Sequence, residues 1–137
     1  MNKLEYIPGD LVSVYVGIKK YLVEVIGVEN ENEGLLYQIK FPNGEIQYAD
    51  NGNIVPIPLT PDILEKNGWY GATHSKQSDD NTKILYKTFK RNGYPTIKVS
   101  QDLKITCELS PFIVKLESVS DLQHLLFGLN INSDMEV

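Results

Sequence analysis

Leu35-Leu36-Tyr37-Gln38-Ile39-Lys40-Phe41-Pro42-Asn43-Gly44-Glu45-Ile46-Gln47-Tyr48 decides how the first half of the chain is read. Leu35, Tyr37, Ile39 and Phe41 alternate with polar Gln38 and Lys40, the period of a half-buried strand. Asn43-Gly44 can take the two positive φ values of a type I′ turn, so a hairpin with a two-residue loop is expected. That loop fixes the register: Pro42 faces Glu45, Phe41 faces Ile46, and Ile39 faces Tyr48. Four apolar side chains then share one face, with Tyr37 and Tyr48 pointing into the core, while Lys40 and Gln47 share the other.

Working upstream, Ile7-Pro8-Gly9-Asp10 is turn chemistry, and residues 11–16 place Val12, Val14 and Val16 on one face of a first strand. Gly17 breaks it. Residues 21–28 resume with Val23 and Val25 on one side and Leu22, Ile26 and Val28 on the other, the pattern of a central strand. Residues 29–34, Glu-Asn-Glu-Asn-Glu-Gly, read as a solvated loop. Residues 1–55 are thus expected to form a small SH3-like or Tudor-like β barrel, or a strongly bent sheet, by fold-level analogy.

Downstream, the prolines in Ile54-Val55-Pro56-Ile57-Pro58-Leu59 remove ladder donors, so residues 56–69 read as an extended connector. Thr60-Pro61-Asp62 starts a two-turn helix, Leu59 and Leu64 are placed as a hydrophobic staple, and Asn67-Gly68 stops it. Ile63, Leu64 and Trp69 are its core contacts. Residues 70–82, rich in Gly, Ser, Asn and Asp, read as an exposed loop. Residues 84–90, 96–99 and 103–109 follow as a meander turning at Arg91-Asn92-Gly93 and Ser100-Gln101-Asp102, with 112–116 as a further strand. Ser120 with Gln123 has capping-box spacing, and Leu122, Leu125, Leu126 and Leu129 recur as one face of a helix. Gly128 in that helix points to close packing against a neighbour, and residues 130–137 are expected to fray. Residues 70–137 form the third segment of an α+β, mainly β domain: a second antiparallel sheet covered by the C-terminal helix.

At 137 residues the chain has the length of one domain, and 18 acidic against 13 basic residues give a formal charge of −5. That balance works against nonspecific phosphate binding. A single cysteine excludes an intrachain disulfide or a cysteine-based zinc site. The start MNKLEYIPGD is too polar for a signal peptide and no run reaches the ~18 apolar residues of a membrane span. A cytoplasmic location without membrane partners is expected.

Two segments carry a resemblance. Residues 57–69, Ile-Pro-Leu-Thr-Pro-Asp-Ile-Leu-Glu-Lys-Asn-Gly-Trp, and residues 119–130, Val-Ser-Asp-Leu-Gln-His-Leu-Leu-Phe-Gly-Leu-Asn, resemble a family of short proteins from gut anaerobes, their prophages and their phages. That family has an IPLT connector and a final helix of the form V-H-x-L-Q-N-L-Y-F-A-L-T-G. This chain departs from it where the family has His after Val, Asn after Gln and Ala before the last Leu. The resemblance spans the order of β segment, connector, meander and helix. It implies a mobile-element or phage context and carries no catalytic residue across.

Candidate chemistry is sparse. Cys107 shares an apolar strand face with Ile105 and Leu109 and reads as an inert core thiol. His124 lies off the helix stripe and reads as solvated, and His74 falls in the loop segment without motif spacing. Asp79-Asp80-Asn81 lacks the order of an EF-hand loop, and no phosphate-binding glycine motif occurs. No enzyme, metal or cofactor is expected. Five of eight tyrosines (Tyr6, Tyr15, Tyr21, Tyr37, Tyr48) lie in the first half, where Tyr15 and Tyr21 with an acid such as Glu24 or Asp50 could form a groove for proline-rich or cationic peptides of a protein partner. Lys83, Lys87, Lys90, Arg91 and Lys98, interleaved with Tyr86, Phe89 and Tyr94, form a basic stretch that could meet a nucleic-acid backbone. The expectation is a non-enzymatic protein-interaction module; the alternative is a small nucleic-acid-associated regulator.

Overall fold

A computed structural model of the chain describes residues 6–31, 34–77 and 83–137, with side chains at 6–30, 34–72 and 86–137. The first sheet contains β1 (Leu11–Val16), β2 (Lys19–Glu31), β3 (Gly34–Lys40), β4 (Ile46–Asp50) and β5 (Ile54–Pro56). Its order is β4-β3-β2-β1-β5, all neighbours antiparallel. A 3-10 turn at Asn51–Asn53 lets β5 return to the far edge beside β1. Among the described residues no ladder joins β4 to β5, so the sheet is open rather than a closed barrel. Helix α1 (Pro61–Lys66) leads to a second sheet of β6 (Tyr70–Gln77), β7 (Lys83–Lys90), β8 (Ile97–Ser100), β9 (Ile105–Leu109) and β10 (Phe112–Lys115), then helix α2 (Val119–Gly128). This second sheet runs β10-β9-β8-β7-β6. The fold is the expected α+β class, mainly strand, and no described helix is long and apolar enough to cross a membrane.

The hairpin that decides the first sheet forms with a different loop. A two-residue loop would need the residue before Asn43 to donate its N–H to Glu45, and Pro42 has none. Instead Phe41 N–H donates to Glu45 C=O at 2.8 Å and Gly44 N–H to Phe41 C=O at 2.9 Å. Pro42-Asn43-Gly44 is therefore a three-residue loop with Gly44 at φ +90°. The register shifts by one: Lys40 faces Ile46, Ile39 faces Gln47 and Tyr37 faces Ala49. A one-residue slip exchanges the faces of a strand, so Ile46 and Tyr48 turn outward while Tyr37 stays buried. Residues 29–31 are not loop either. They extend β2 and pair with residues 34–36, because a long partner strand satisfies their backbone whatever their side chains.

Two buried clusters result. Val12, Val14, Val23, Val25, Tyr37 and Ile39 form the first, closed by Tyr6 lying edge-on to Tyr37 at 5.5 Å. Leu59, Leu64, Trp69, Phe89, Ile97, Cys107, Leu122 and Leu126 belong to the second. The connector therefore belongs energetically with the second half. Thr60 Oγ1 accepts from Ile63 N–H at 3.3 Å and Gly68 takes φ +92°, so α1 starts and stops where its sequence signals stand. The predicted crossover also pairs: Pro56 sits on the edge strand β5, where a missing N–H is tolerated.

Other departures have local causes. Residues 70–77 are strand β6, not loop. Gly71 reads as a loop residue but is the spot where the Phe89 ring crosses the neighbouring strand; a Cβ there would stand 2.7 Å from the ring. Residues 78–82 of that expected loop lie outside the described residues. Leu103 belongs to the turn, at φ +63°, with Leu103 N–H donating to Ser100 C=O and Ser100 N–H to Lys104 C=O. Gln101-Asp102-Leu103 thus forms the same kind of loop as residues 42–44. Helix α2 begins two residues earlier than expected, with Ser118 and Asp121 as the capping box. Gly128 faces open space, with no neighbour to accommodate. The segment expected to fray is docked: Met135 is buried, and the Asn67 side-chain amide exchanges two hydrogen bonds of 2.7 Å with the Glu136 backbone.

The two glycines should respond oppositely to alanine. Gly71→Ala forces the Phe89 ring to move and should destabilise by about 1–3 kcal/mol, whereas Gly128→Ala should stabilise by up to about 1 kcal/mol; urea denaturation midpoints measure both. Cys107 is fully buried and its thiol is pushed above its ordinary pKa, chiefly by that burial. It should react with a disulfide reagent at the rate of unfolding, a prediction checked by comparing labelling with and without denaturant.

Candidate functional site

The residues singled out in sequence do not converge. Tyr15 lies opposite Lys20, Tyr21 opposite Val14, and Glu24 opposite Leu11. Since successive side chains alternate, Tyr15 and Glu24 project from the outer face of the first sheet. Tyr21 projects from the inner face, where its ring meets Phe41 edge-on at 5.8 Å. The expected three-residue groove is therefore divided by the sheet itself. The basic run is divided in the same way. Lys87 lies opposite Val99 on the face of buried Phe89, and Lys90 lies on the other face, opposite Tyr70. Arg91 is in the turn, its guanidinium 3.8 Å from the Tyr94 ring centroid and 5.1 Å from that of Trp69. It packs against these rings at the turn, apart from the strand positions of Lys87 and Lys90. The side chains of Lys83 and His74 lie outside the described residues. Among the described residues no cluster of three His, Cys, Asp or Glu is placed to hold a metal.

A different site is built where β10 meets α2. Leu116 N–H donates to Ile105 C=O at 2.9 Å, so by alternation the backbones of Phe112 and Val114 also face β9. Ile113 and Lys115 then present their N–H and C=O groups to the open edge of the sheet. Their neighbours along that edge already bind a strand: Leu59 N–H donates to Glu117 C=O at 3.1 Å and Val119 N–H to Ile57 C=O at 2.8 Å. Residues 57–59 thus occupy the strand position beside 117–119, and the same position beside 113–115 is unfilled among the described residues.

Helix α2 forms the other wall. Asp121 accepts from the backbone N–H groups of Glu117 and Ser118 at 3.0 and 3.1 Å, and Ser118 Oγ accepts from Asp121 N–H at 3.1 Å. This cap fixes the corner between β10 and the helix. A groove of about 350 Å³ lies there, with Val114, Leu116 and Leu125 as its apolar lining and Lys115, Glu117, Asp121 and His124 as its polar one. Phe112 and Ile113 beside it are 70% and 65% exposed.

His124 is not a free surface side chain. Its Nε2 lies 2.5 Å from Asp10 Oδ2, with 34% of the imidazole side chain exposed and 2% of the carboxylate. Asp10 also accepts the Ile7 N–H at 2.9 Å. Gln123 beside it is buried: its Oε1 accepts Leu11 N–H at 2.8 Å, and its Nε2 donates to Gly9 C=O at 2.9 Å and Ser133 C=O at 3.2 Å. Through these residues the groove's helix is held against the start of β1. Nothing in helical periodicity flags Gln123 or His124, since both lie off the leucine stripe; only the pairing with β1 gives them a role.

Burial raises the Asp10 pKa above the ordinary carboxylate value, against the lowering effect of the Ile7 N–H and of His124. A carboxyl with a raised folded pKa contributes its full stability in acid and loses it as pH rises through that pKa. The protein should therefore lose stability relative to Asp10→Asn as pH rises from about 3.8, the model-peptide value. His124→Ala, which strips a partner from the buried carboxylate, should cost about 1.5–3 kcal/mol at pH 7. Urea titrations of the three proteins at pH 3.5 and 7 measure these differences.

No protein-family model matches this chain, and comparisons with curated proteins and with solved structures find none significantly similar to it.

Proposed function

We propose that the chain is a non-enzymatic protein-interaction module that captures an extended peptide segment as an added strand on β10. The observation that supports this most is the unfilled strand position beside residues 113–115, in line with the connector strand that occupies the same edge at 117–119. An unpaired edge offers main-chain hydrogen bonds to any extended segment, and side chains alternating into a neighbouring groove add selectivity. Here Val114, Leu116 and Leu125 would take an apolar side chain, and the carboxylates of Glu117 and Asp121, two against the one cation Lys115, favour a basic residue near it. The N-terminal sheet, with its short antiparallel strands in the order β4-β3-β2-β1-β5, is read as an SH3-like scaffold that braces the groove's helix through Gln123 and His124. The phage or mobile-element setting comes from the resemblance in residues 57–69 and 119–130, and the cytoplasm is the compartment proposed for it.

Peptides selected on the purified protein from a random display library should bind with an apolar-plus-basic consensus. Ile113→Pro removes an outward N–H without touching the β9 ladder, and should abolish that binding while leaving the circular dichroism spectrum unchanged. Ile113→Ala, which keeps the N–H, should retain binding within a few-fold. Failure to select any peptide, or equal binding by Ile113→Pro, would refute strand addition at β10.

A further inference from the structure

We infer that the solvent face of the second sheet is a binding surface for single-stranded nucleic acid. Phe89, Ile97, Val99, Ile105 and Cys107 fill the inner face of this sheet. The ladders align Ala72, Thr88, Lys98, Thr106 and Lys115 as one row crossing all five strands on the outer face. Lys90 stands diagonally beside Lys98, with Tyr70 directly across from it. Three lysines therefore converge on a face whose described acidic side chains are Glu108, opposite Ile113, and Glu117, two residues beyond Lys115. In a chain of net charge −5 this is a local segregation of positive charge. None of the three has a carboxylate partner among the described residues, and Lys98 Nζ is held on the face 4.4 Å from the Tyr86 ring centroid.

The dimensions select the form of nucleic acid. Five strands at about 4.8 Å spacing make a row roughly 19 Å across, wider than the ~12 Å major groove of a duplex. A face of this width fits a strand whose bases are splayed over it. Phosphates would meet Lys90, Lys98 and Lys115, the hydroxyls of Thr88 and Thr106 would donate hydrogen bonds, and a base would stack on Tyr70, which is 79% exposed. This set differs from the basic stretch read in the sequence: it keeps Lys90 and Lys98, omits Lys83, Lys87 and Arg91, and adds Lys115. It rests on side chains of the sheet face rather than on the open backbone of β10, and shares only Lys115 with the groove beside α2.

Fluorescence anisotropy with labelled 12-nucleotide oligo(dT), oligo(U) and a 12-base-pair duplex tests it. The single strands should bind and the duplex at least tenfold more weakly. Three phosphate contacts give a salt slope of about −2, so raising salt from about 50 to 200 mM should weaken binding about 20-fold. Combined Lys90→Ala, Lys98→Ala and Lys115→Ala should remove most of the affinity and flatten that slope. Tyr70→Ala should weaken binding at least about 5-fold and leave the slope unchanged. All four side chains are exposed, so the variants should fold, as circular dichroism would show. Absence of single-strand binding at 50 mM salt, equal duplex binding, insensitivity to both variants, or displacement by polyglutamate as readily as by oligo(dT) would each overturn the inference.

Discussion

The side-chain amide of Gln123 does for the joint between the two sheets what a strand backbone does within one. It accepts the Leu11 N–H and donates to the Gly9 C=O, so the start of β1 is satisfied by a helix as if by another strand. Buried backbone groups must be paired, and on the side of β1 away from β2 the ladder with β5 stops at Val12. The consequence reaches in both directions. It holds α2 at the angle that closes the second core with Val119, Leu122 and Leu126, and it sets His124 against Asp10.

Much of the architecture could be read from residue order because each sheet is mostly a chain of hairpins. Thr60-Pro61-Asp62 and Asn67-Gly68 marked α1 closely, since caps act on the nearest backbone groups. The errors arose where a neighbour in space outweighed a neighbour in sequence. Residues 29–31 and 70–77 have loop-like composition but lie beside long partners that supply their hydrogen bonds. The central hairpin turned on one atom: the hydrogen that Pro42 lacks. Asn-Gly alone signals a two-residue loop, whereas Pro-Asn-Gly cannot close one.

The candidate site was less legible than the fold. Closeness in sequence was taken as closeness in space for Tyr15 with Tyr21 and for Lys87 with Lys90, and strand alternation places each pair on opposite faces. The groove between β10 and α2 draws on residues from 113 to 125, and its bracing draws on Asp10 and Leu11, more than a hundred residues earlier. No periodicity connects them. The row from Ala72 to Lys115 likewise exists only once five registers are known, because a shift of one residue in any ladder would scatter it over both faces.

The nearest-neighbour order of the second sheet bears on how the protein is made. Each of its pairings joins consecutive strands, so contact order within it is low and its hairpins can form rapidly as the chain grows. Its covering helix comes later. Until residues 119–126 emerge from the ribosome, the face carrying Phe89, Ile97 and Ile105 has only Leu59, Leu64 and Trp69 of the connector to cover it, and the edge carrying Phe112 and Ile113 stands beside it. Nascent chains on a crowded polysome thus pass through an interval in which the adhesive surfaces are complete and their cover is not. Brevity of that interval, set by the few residues between β10 and α2, is itself a safeguard against co-translational aggregation.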